Sequence, residues 1–387
     1  MNGKDRFSIP IRPAMAPFGI ALSLLLSACA NVAFDPGSTR LEEKALVFGR
    51  IQLDRDGETS IISVLSSPVV IRDIETGKEP GLITQAFEKD GRFHWALPPG
   101  RYQLSMVLHR YTDGVQSYAF NLDKAGTAYY FGDLTLHGKR RFDTLGGANL
   151  REIRPEFADR FREDSDELIR RNPQLNPQAI EKLTLLDMTQ ATNRGAAYSD
   201  ALNGKKLCCA SLAELPYQAL RMGESASVKI DRDSQVFDFP QGRSRFAAWQ
   251  LPSRSATPYA IALRSNVTPG NMPGVGQLYI FSPAIMLLDE NFKVLAQQEH
   301  GLFVPVPASA FPPRSASLQA KIESSQIPAS TRYLIAYTTR SIIEKRWHTT
   351  APGFIPIAGG VLPSGGYISL NMEPAISGEI EISLSEN

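Results

Sequence analysis

Apolar and polar residues alternate in short runs along most of the chain, and the runs recur about every ten residues. Between Ala45 and Leu136 they read ALVFGRIQL, SIISVL, PVVIRD, GLITQAFE, GRFHWAL, GRYQLSMVL, QSYAFNL and TAYYFGDLTL. Alternation sends successive side chains to opposite faces, and turn signals at this spacing predict an antiparallel β-sandwich. In GRYQLSM, Tyr102 and Leu104 fall on one face and Gln103 and Ser105 on the other. Asp56 with Gly57, and Asp90 with Gly91, supply the positive φ of tight hairpins, so DRDGE at Asp54 to Glu58 reads as a turn. Half a calcium loop would need further ligands and a closing glutamate. After Leu207 the chain is β-rich again, with SASVKI, QVFDF, SRFAAWQL, TPYAIALRS, LYIFSPAIMLLD, FKVLAQQ, SLQAKIES, RYLIAYTT and GYISL. GEIEISL has the cleanest period of two, with Ile380, Ile382 and Leu384 on one face.

Between these stretches the period changes. In RPEFADRFREDSDELIRR, residues 154–171, Phe157, Phe161 and Leu168 lie within about 40° on a helical wheel. Pro155 suits a first helical position, acids stand near the start, and Arg170 and Arg171 stand at the end, as the helix dipole favours. Asn176 and Pro177 signal a second start before Ile180, Leu183 and Leu186. Residues 151–188 are therefore expected to be bracing helices on the first sandwich. TQATNRGAAYSDALNGKK, residues 189–206, is small, polar and without a period, and is expected to be a linker. TPGNMPGVG, VPVPASAFPP and WHTTAPGFIPIAGGVLPSGG are expected to be Pro/Gly-rich connections. The fold class is thus mainly β: two antiparallel β-sandwich domains, 45–150 and 207–387, joined by a short helical segment.

The N-terminus sets location. Lys4, Arg6 and Arg12 precede an apolar stretch of roughly 13 residues, the order of a secretory signal, and a bilayer core needs about 20. Leu26, Ser27, Ala28 and Cys29 resemble the lipobox of bacterial lipoproteins, which implies cleavage after residue 28 and a diacylglyceryl group on Cys29. Residue 30 is alanine and not the aspartate associated with inner-membrane retention, which implies a lipid-anchored protein in the periplasm of a Gram-negative bacterium, at the outer membrane. Residues 29–44 are expected to be a tether. Removing Lys4, Arg6, Arg12 and Asp5 from 41 basic and 40 acidic residues leaves 38 against 39, a formal net charge of −1. That balance points to no nucleic acid, and no basic run would hold an anionic membrane.

Cys208 and Cys209 are the remaining cysteines, in an oxidising compartment. Neighbouring Cα atoms are closer than an ordinary disulfide prefers, so a vicinal disulfide, a pair of structural thiols and a metal site all stay open, although structural zinc wants four ligands with loop spacing. GRFHWALPPGRYQLSM, residues 91–106, resembles the strand, Pro-Pro-Gly turn and strand of prealbumin-like, carboxypeptidase-regulatory-type sandwiches, which implies a scaffold. CCASLAELPYQAL, residues 208–220, resembles the opening motif of the maltose operon periplasmic protein family, and QGRSRFAAWQLP, YAIALRS, FSPAIMLLDENFKVL and RYLIAYTT are similar to that family's strands in type and order. The resemblance covers residues 207–387. It implies a periplasmic protein linked to maltodextrin uptake, with no associated reaction, and it makes Glu214, Pro216 and Tyr217 motif residues beside the cysteines.

No catalytic constellation assembles. His94, His109, His137, His300 and His348 are scattered without HExxH spacing, and neither a GxSxG elbow nor a phosphate-cradling glycine loop is present. The expected function is non-enzymatic: a cell-envelope scaffold or interaction protein, without cofactor or metal, held to the membrane through its lipid and partnered by another envelope protein. The alternative is an accessory protein that binds maltodextrin, with Trp249 and Trp347, beside Tyr259 and Tyr279, as candidate sugar-stacking residues. A second alternative is an envelope hydrolase with residues drawn from distant loops.

Overall fold

A computed structural model describes residues 32–36, 39–55, 57–61, 69–80, 87–107, 115–142, 148–253, 258–268, 277–310, 313–357 and 360–386. The segment read as a secretory signal and Cys29 lie outside them. The chain is mainly β, with 51% of residues in strands and 13% in helices, as the alternation predicts.

The first sandwich faces two sheets across a core of Val47, Ile51, Phe93, Trp95, Tyr102, Leu104, Phe120 and Leu134. One sheet orders Glu58–Ile61, Ala45–Arg55, Ala128–Phe142 and Ala148–Ala158, with Arg92–Leu97 also paired to Ala45–Arg55. The other orders Leu186–Asp187, Val115–Leu122, Gly100–Val107 and Val69–Asp73. The Tyr102 hydroxyl closes the Pro-Pro-Gly turn by donating to the Pro98 carbonyl at 2.8 Å. Pairing is mixed, because Ala45–Arg55 runs parallel to Ala128–Phe142.

The second sandwich is built the same way. Gln218–Ala219, Gly242–Gln250, Tyr333–Tyr337, Ala284–Leu288 and Val294–Gln298 form one sheet. Ser225–Ile230, Gly378–Glu386, Tyr259–Thr268, Gln277–Phe281, Gly360–Ala375 and Trp347–Ile357 follow one another in the facing sheet. Trp249, Tyr259, Ile261, Phe281, Leu318, Leu334 and Ile382 fill the space between.

Five segments differ from their sequence reading. The tether is built into the first sandwich from Val32, which is buried: Ala33 bridges to Trp95, and the Ala96 N–H donates to the Val32 carbonyl. The helix expected over 154–171 begins only at Phe161 (α1, Phe161–Arg171), because the preceding residues find an open edge and pair as Ala148–Ala158 with Ala128–Phe142. Pro155 sits on that strand opposite Leu136, and Phe157 is exposed. The second bracing helix is a single turn, Pro177–Ala179, after which Ile180–Lys182 and Leu186–Asp187 pair with sheet edges. Edge pairing overrides local helical spacing in both places. Residues 347–357 and 360–366, read as a loop, belong to two paired strands.

The largest difference is the linker, which is a helix, α2 (Ala191–Leu202). Ala197, Tyr198, Ala201 and Leu202 are buried at helical spacing. Small side chains disguised this period, and smallness is what the packing requires. A methyl group on Gly195 would stand 2.6 Å from Glu344 Oε1 and 2.9 Å from Arg340 Cγ, at the neighbouring helix α3 (Arg340–Ile343). Brief trypsin treatment should leave Arg194, which is 3% exposed, and Lys205 uncut. Early release of two domain fragments by cleavage at either residue would contradict this packing.

Candidate functional site

The residues singled out from the sequence do not converge on one cleft. Cys208 and Cys209 are joined to each other as a disulfide. They are half-buried against a cluster on the outer face of the Gly242–Gln250 sheet that includes Phe239, Met286, Leu288, Ile335 and Tyr337. Glu214 holds the loop closed: its carboxylate accepts the Ala210 N–H at 2.9 Å and the Ser211 hydroxyl at 3.2 Å. Tyr217 donates to the Leu212 carbonyl at 2.8 Å and packs on Tyr333 with ring centroids 4.5 Å apart. Pro216 is exposed. Phe292 completes this lid, stacking on Tyr333 at 4.6 Å, and does so from a positive φ of 61° that a bulky residue rarely adopts. The motif thus seals an apolar sheet face.

Neither tryptophan is placed for sugar stacking. Trp249 is fully buried between the sheets, which removes it as a stacking residue. Trp347 is half-buried, donates its indole N–H to Ser282 Oγ at 3.1 Å, and is covered by the Lys345 ammonium 4.2 Å from its ring. Tyr259 and Tyr279 are buried as well.

A group of buried polar residues that the sequence reading missed lies where the two sandwiches meet. Gln103, Ser105 and Ser117, on the polar faces of Gly100–Val107 and Val115–Leu122, are buried by the second domain. Gln103 Nε2 donates to Glu373 Oε1 at 3.0 Å and to Ser117 Oγ at 2.8 Å, and Gln103 Oε1 accepts from the Tyr198 hydroxyl of α2 at 3.3 Å. The hydroxyls of Ser105 and Tyr279 share a hydrogen bond of 3.2 Å. The Arg72 guanidinium lies 3.9 Å over the Tyr279 ring and donates to Ser377 Oγ at 3.2 Å. Burial, reinforced by the Glu373 carboxylate, pushes the Tyr198 and Tyr279 phenols up, so both act as neutral hydroxyls.

Beside this network, the turn after Val69–Asp73 enters a cradle of cations from the C-terminal half. Arg232 Nη2 donates to Asp73 Oδ2 at 2.7 Å, Lys205 Nζ to Glu75 Oε2 at 2.6 Å, and Arg245 Nη1 to the Glu75 carbonyl at 2.7 Å. Burial lowers the Arg245 guanidinium from its ordinary value, and Glu75 opposes the shift. The turn needs Gly77, which sits at φ 71° and whose missing side chain leaves room for Ser377 Oγ, 2.6 Å from where a Cβ would be. Apolar residues complete the seam, with Ile74, Ala119, Tyr198, Leu202, Val236, Ile343 and Ile376 in one cluster drawn from both sandwiches and α2. The only signal in the sequence was the polar half of an alternating strand, which reads equally as a solvent face.

Fold and seam define the class: a mainly-β protein of two interlocked sandwiches. Residues 241–352, from Gln241 to the first residues of the Trp347–Ile357 strand, match the family described as maltose operon periplasmic protein precursor (MalM). The resemblance read from the sequence therefore holds for this C-terminal part. The first sandwich and the cysteine loop lie outside the matched residues. No curated protein matches the chain.

Two outcomes follow from this geometry. Replacing Glu373, 2% exposed, with leucine leaves the Gln103 amide without its carboxylate and should cost about 1–3 kcal/mol in denaturant unfolding. Changing the exposed Glu379 to alanine should stay within about 0.5 kcal/mol. Equal losses would show that the seam residue has no special weight. Replacing Cys208 and Cys209 together with serine should lower stability by about 1–2 kcal/mol through lost packing on the Tyr337 cluster, without changing localisation. Unchanged stability with a lost cellular phenotype would favour a redox role.

Proposed function

We propose that the protein is a non-enzymatic cell-envelope lipoprotein, a scaffold on the periplasmic side of the outer membrane attached through a lipid on Cys29. The seam carries this reading. Buried charges and amides here are directed at the molecule's own other half, and the result is one rigid body that presents fixed surfaces. Rigid surfaces lower the ordering cost of binding a macromolecular partner. The built-in N-terminus fits the same reading, because Cys29 and Val32 are three residues apart, about 10 Å when extended. A lipid on Cys29 would therefore hold the first sandwich close against the head groups, and the longer tether expected from residues 29–44 is not needed.

The second reading is an accessory maltodextrin-binding protein, favoured by the family match over residues 241–352. Stacking would then fall to the half-buried trio Tyr217, Phe292 and Tyr333, because the tryptophans are committed elsewhere. Calorimetric titration of the mature chain carrying Cys29→Ser with maltodextrins separates the two. The scaffold reading expects no binding tighter than millimolar, together with a discrete crosslinked product with another envelope protein in cells. A micromolar constant would put the saccharide reading first, and the absence of any crosslinked product would remove the scaffold.

A further inference from the structure

Helix α2 and the segment after α3 bring two guanidinium groups together at the seam. Arg194 donates to the carbonyls of Met188 at 3.3 Å, Thr189 at 3.2 Å and Glu344 at 2.7 Å, so it reaches the turn that leads into Arg346. The ladder of Trp347–Ile357 with Gly360–Ala375 ends with Trp347 opposite Met372, both packed in the core of the second sandwich. Alternation carried one residue further turns Arg346 and Glu373 to the other side, where Glu373 meets Gln103 of the first sandwich. The charges at this point do not balance. Asp73 and Glu75 are matched by Arg232, Lys205 and Arg245, and Glu344 by Arg340 at 2.9 Å. Among the described residues, that leaves the buried Glu373 against Arg72, Arg194 and Arg346. Arg194 Nε and Arg346 Nη2 are buried donors with no acceptor among the described residues. Burial, and after it the charge of Arg346, lowers the Arg194 guanidinium from its ordinary value, and Glu373 opposes the shift. Water can satisfy a donor, but a buried charge needs a counter-charge.

We propose that one small inorganic anion, of chloride size, binds between Arg194 and Arg346 and completes the seam. Arg194 brings a single buried N–H, at Nε, and its Nη atoms are held by carbonyls, so it cannot offer the two parallel N–H groups with which a guanidinium grips an oxyanion. Room is short as well. A methyl group on the adjacent Gly195 would stand 2.6 Å from Glu344 Oε1, which favours an occupant of one atom. Arg346 is partly exposed, and this gives the ion a way in from solvent. An anion held there links α2 to the second sandwich through a charge that neither half of the chain supplies.

Melting the mature chain carrying Cys29→Ser in sodium chloride and in sodium gluconate at equal ionic strength keeps screening constant and changes only the size of the anion. Chloride should raise the melting temperature saturably, by a few degrees at about a hundredfold excess over its dissociation constant. Arg346→Gln should abolish the difference between the two salts. In gluconate it should melt no lower than the parent, because it removes a charge that repels Arg194. A side chain with only a packing role would instead lower melting equally in both salts. Crystals of the parent grown in sodium bromide should show anomalous scattering beside Arg194 Nε and Arg346 Nη2, a readout that does not depend on the variant folding. Equal melting in the two salts, a chloride effect that survives Arg346→Gln, or stronger stabilisation by inorganic phosphate than by chloride would overturn the proposal. So would bromide found only at other positions, an adventitious ion only.

Discussion

The structure turns on the burial of an acidic turn. Asp73 and Glu75 leave the first sandwich and end among Arg232, Arg245 and Lys205, where the two carboxylates and Arg245 have lost most of their water while Arg232 and Lys205 stay partly exposed. Such a pairing adds little net stability over an apolar interface of the same size, yet removing one side leaves a buried charge and costs several kcal/mol. The asymmetry makes it a device of register: other placements of the two sandwiches would strand these charges. Other features follow from holding that placement. Helix α2 is wedged between the halves, Arg194 spans from α2 to the Glu344 carbonyl at the end of α3, and Gly195 lets the helices approach. The polar network of Gln103, Tyr198 and Glu373 closes the space beside the turn.

A body locked in this way divides its surface by role. The cysteine loop is spent on covering a sheet face, and the seam is spent on the molecule itself. Among the described residues, the half-buried aromatic lid of Tyr217, Phe292 and Tyr333 is left facing outward. The match over residues 241–352 stops inside the strand Trp347–Ile357.

Much of the architecture was legible because a half-buried strand advertises its period. GEIEISL, GRYQLSM and RYLIAYTT fall on strands where the alternation puts them, and Tyr102 and Leu104 enter the core as their face implies. The seam was illegible for the same reason. Gln103 and Ser105 occupy the polar face of that strand, and alternation cannot distinguish a face that meets water from one that meets a second domain. Helix α2 was hidden because Ala197 and Ala201 bury little area each and leave the apolar period weak. The strands Ala148–Ala158 and Ile180–Lys182 were hidden because their pairing depends on an edge far away in sequence.

The central claim is that two sandwiches of separate core form one cooperative unit through the seam. Differential scanning calorimetry of the mature chain measures this directly, by comparing the calorimetric enthalpy of unfolding with the van't Hoff enthalpy. The interlocked structure predicts one transition with a ratio close to one. Two resolved transitions, or a calorimetric enthalpy about twice the van't Hoff value, would mean that the halves unfold independently and that the seam does not hold them.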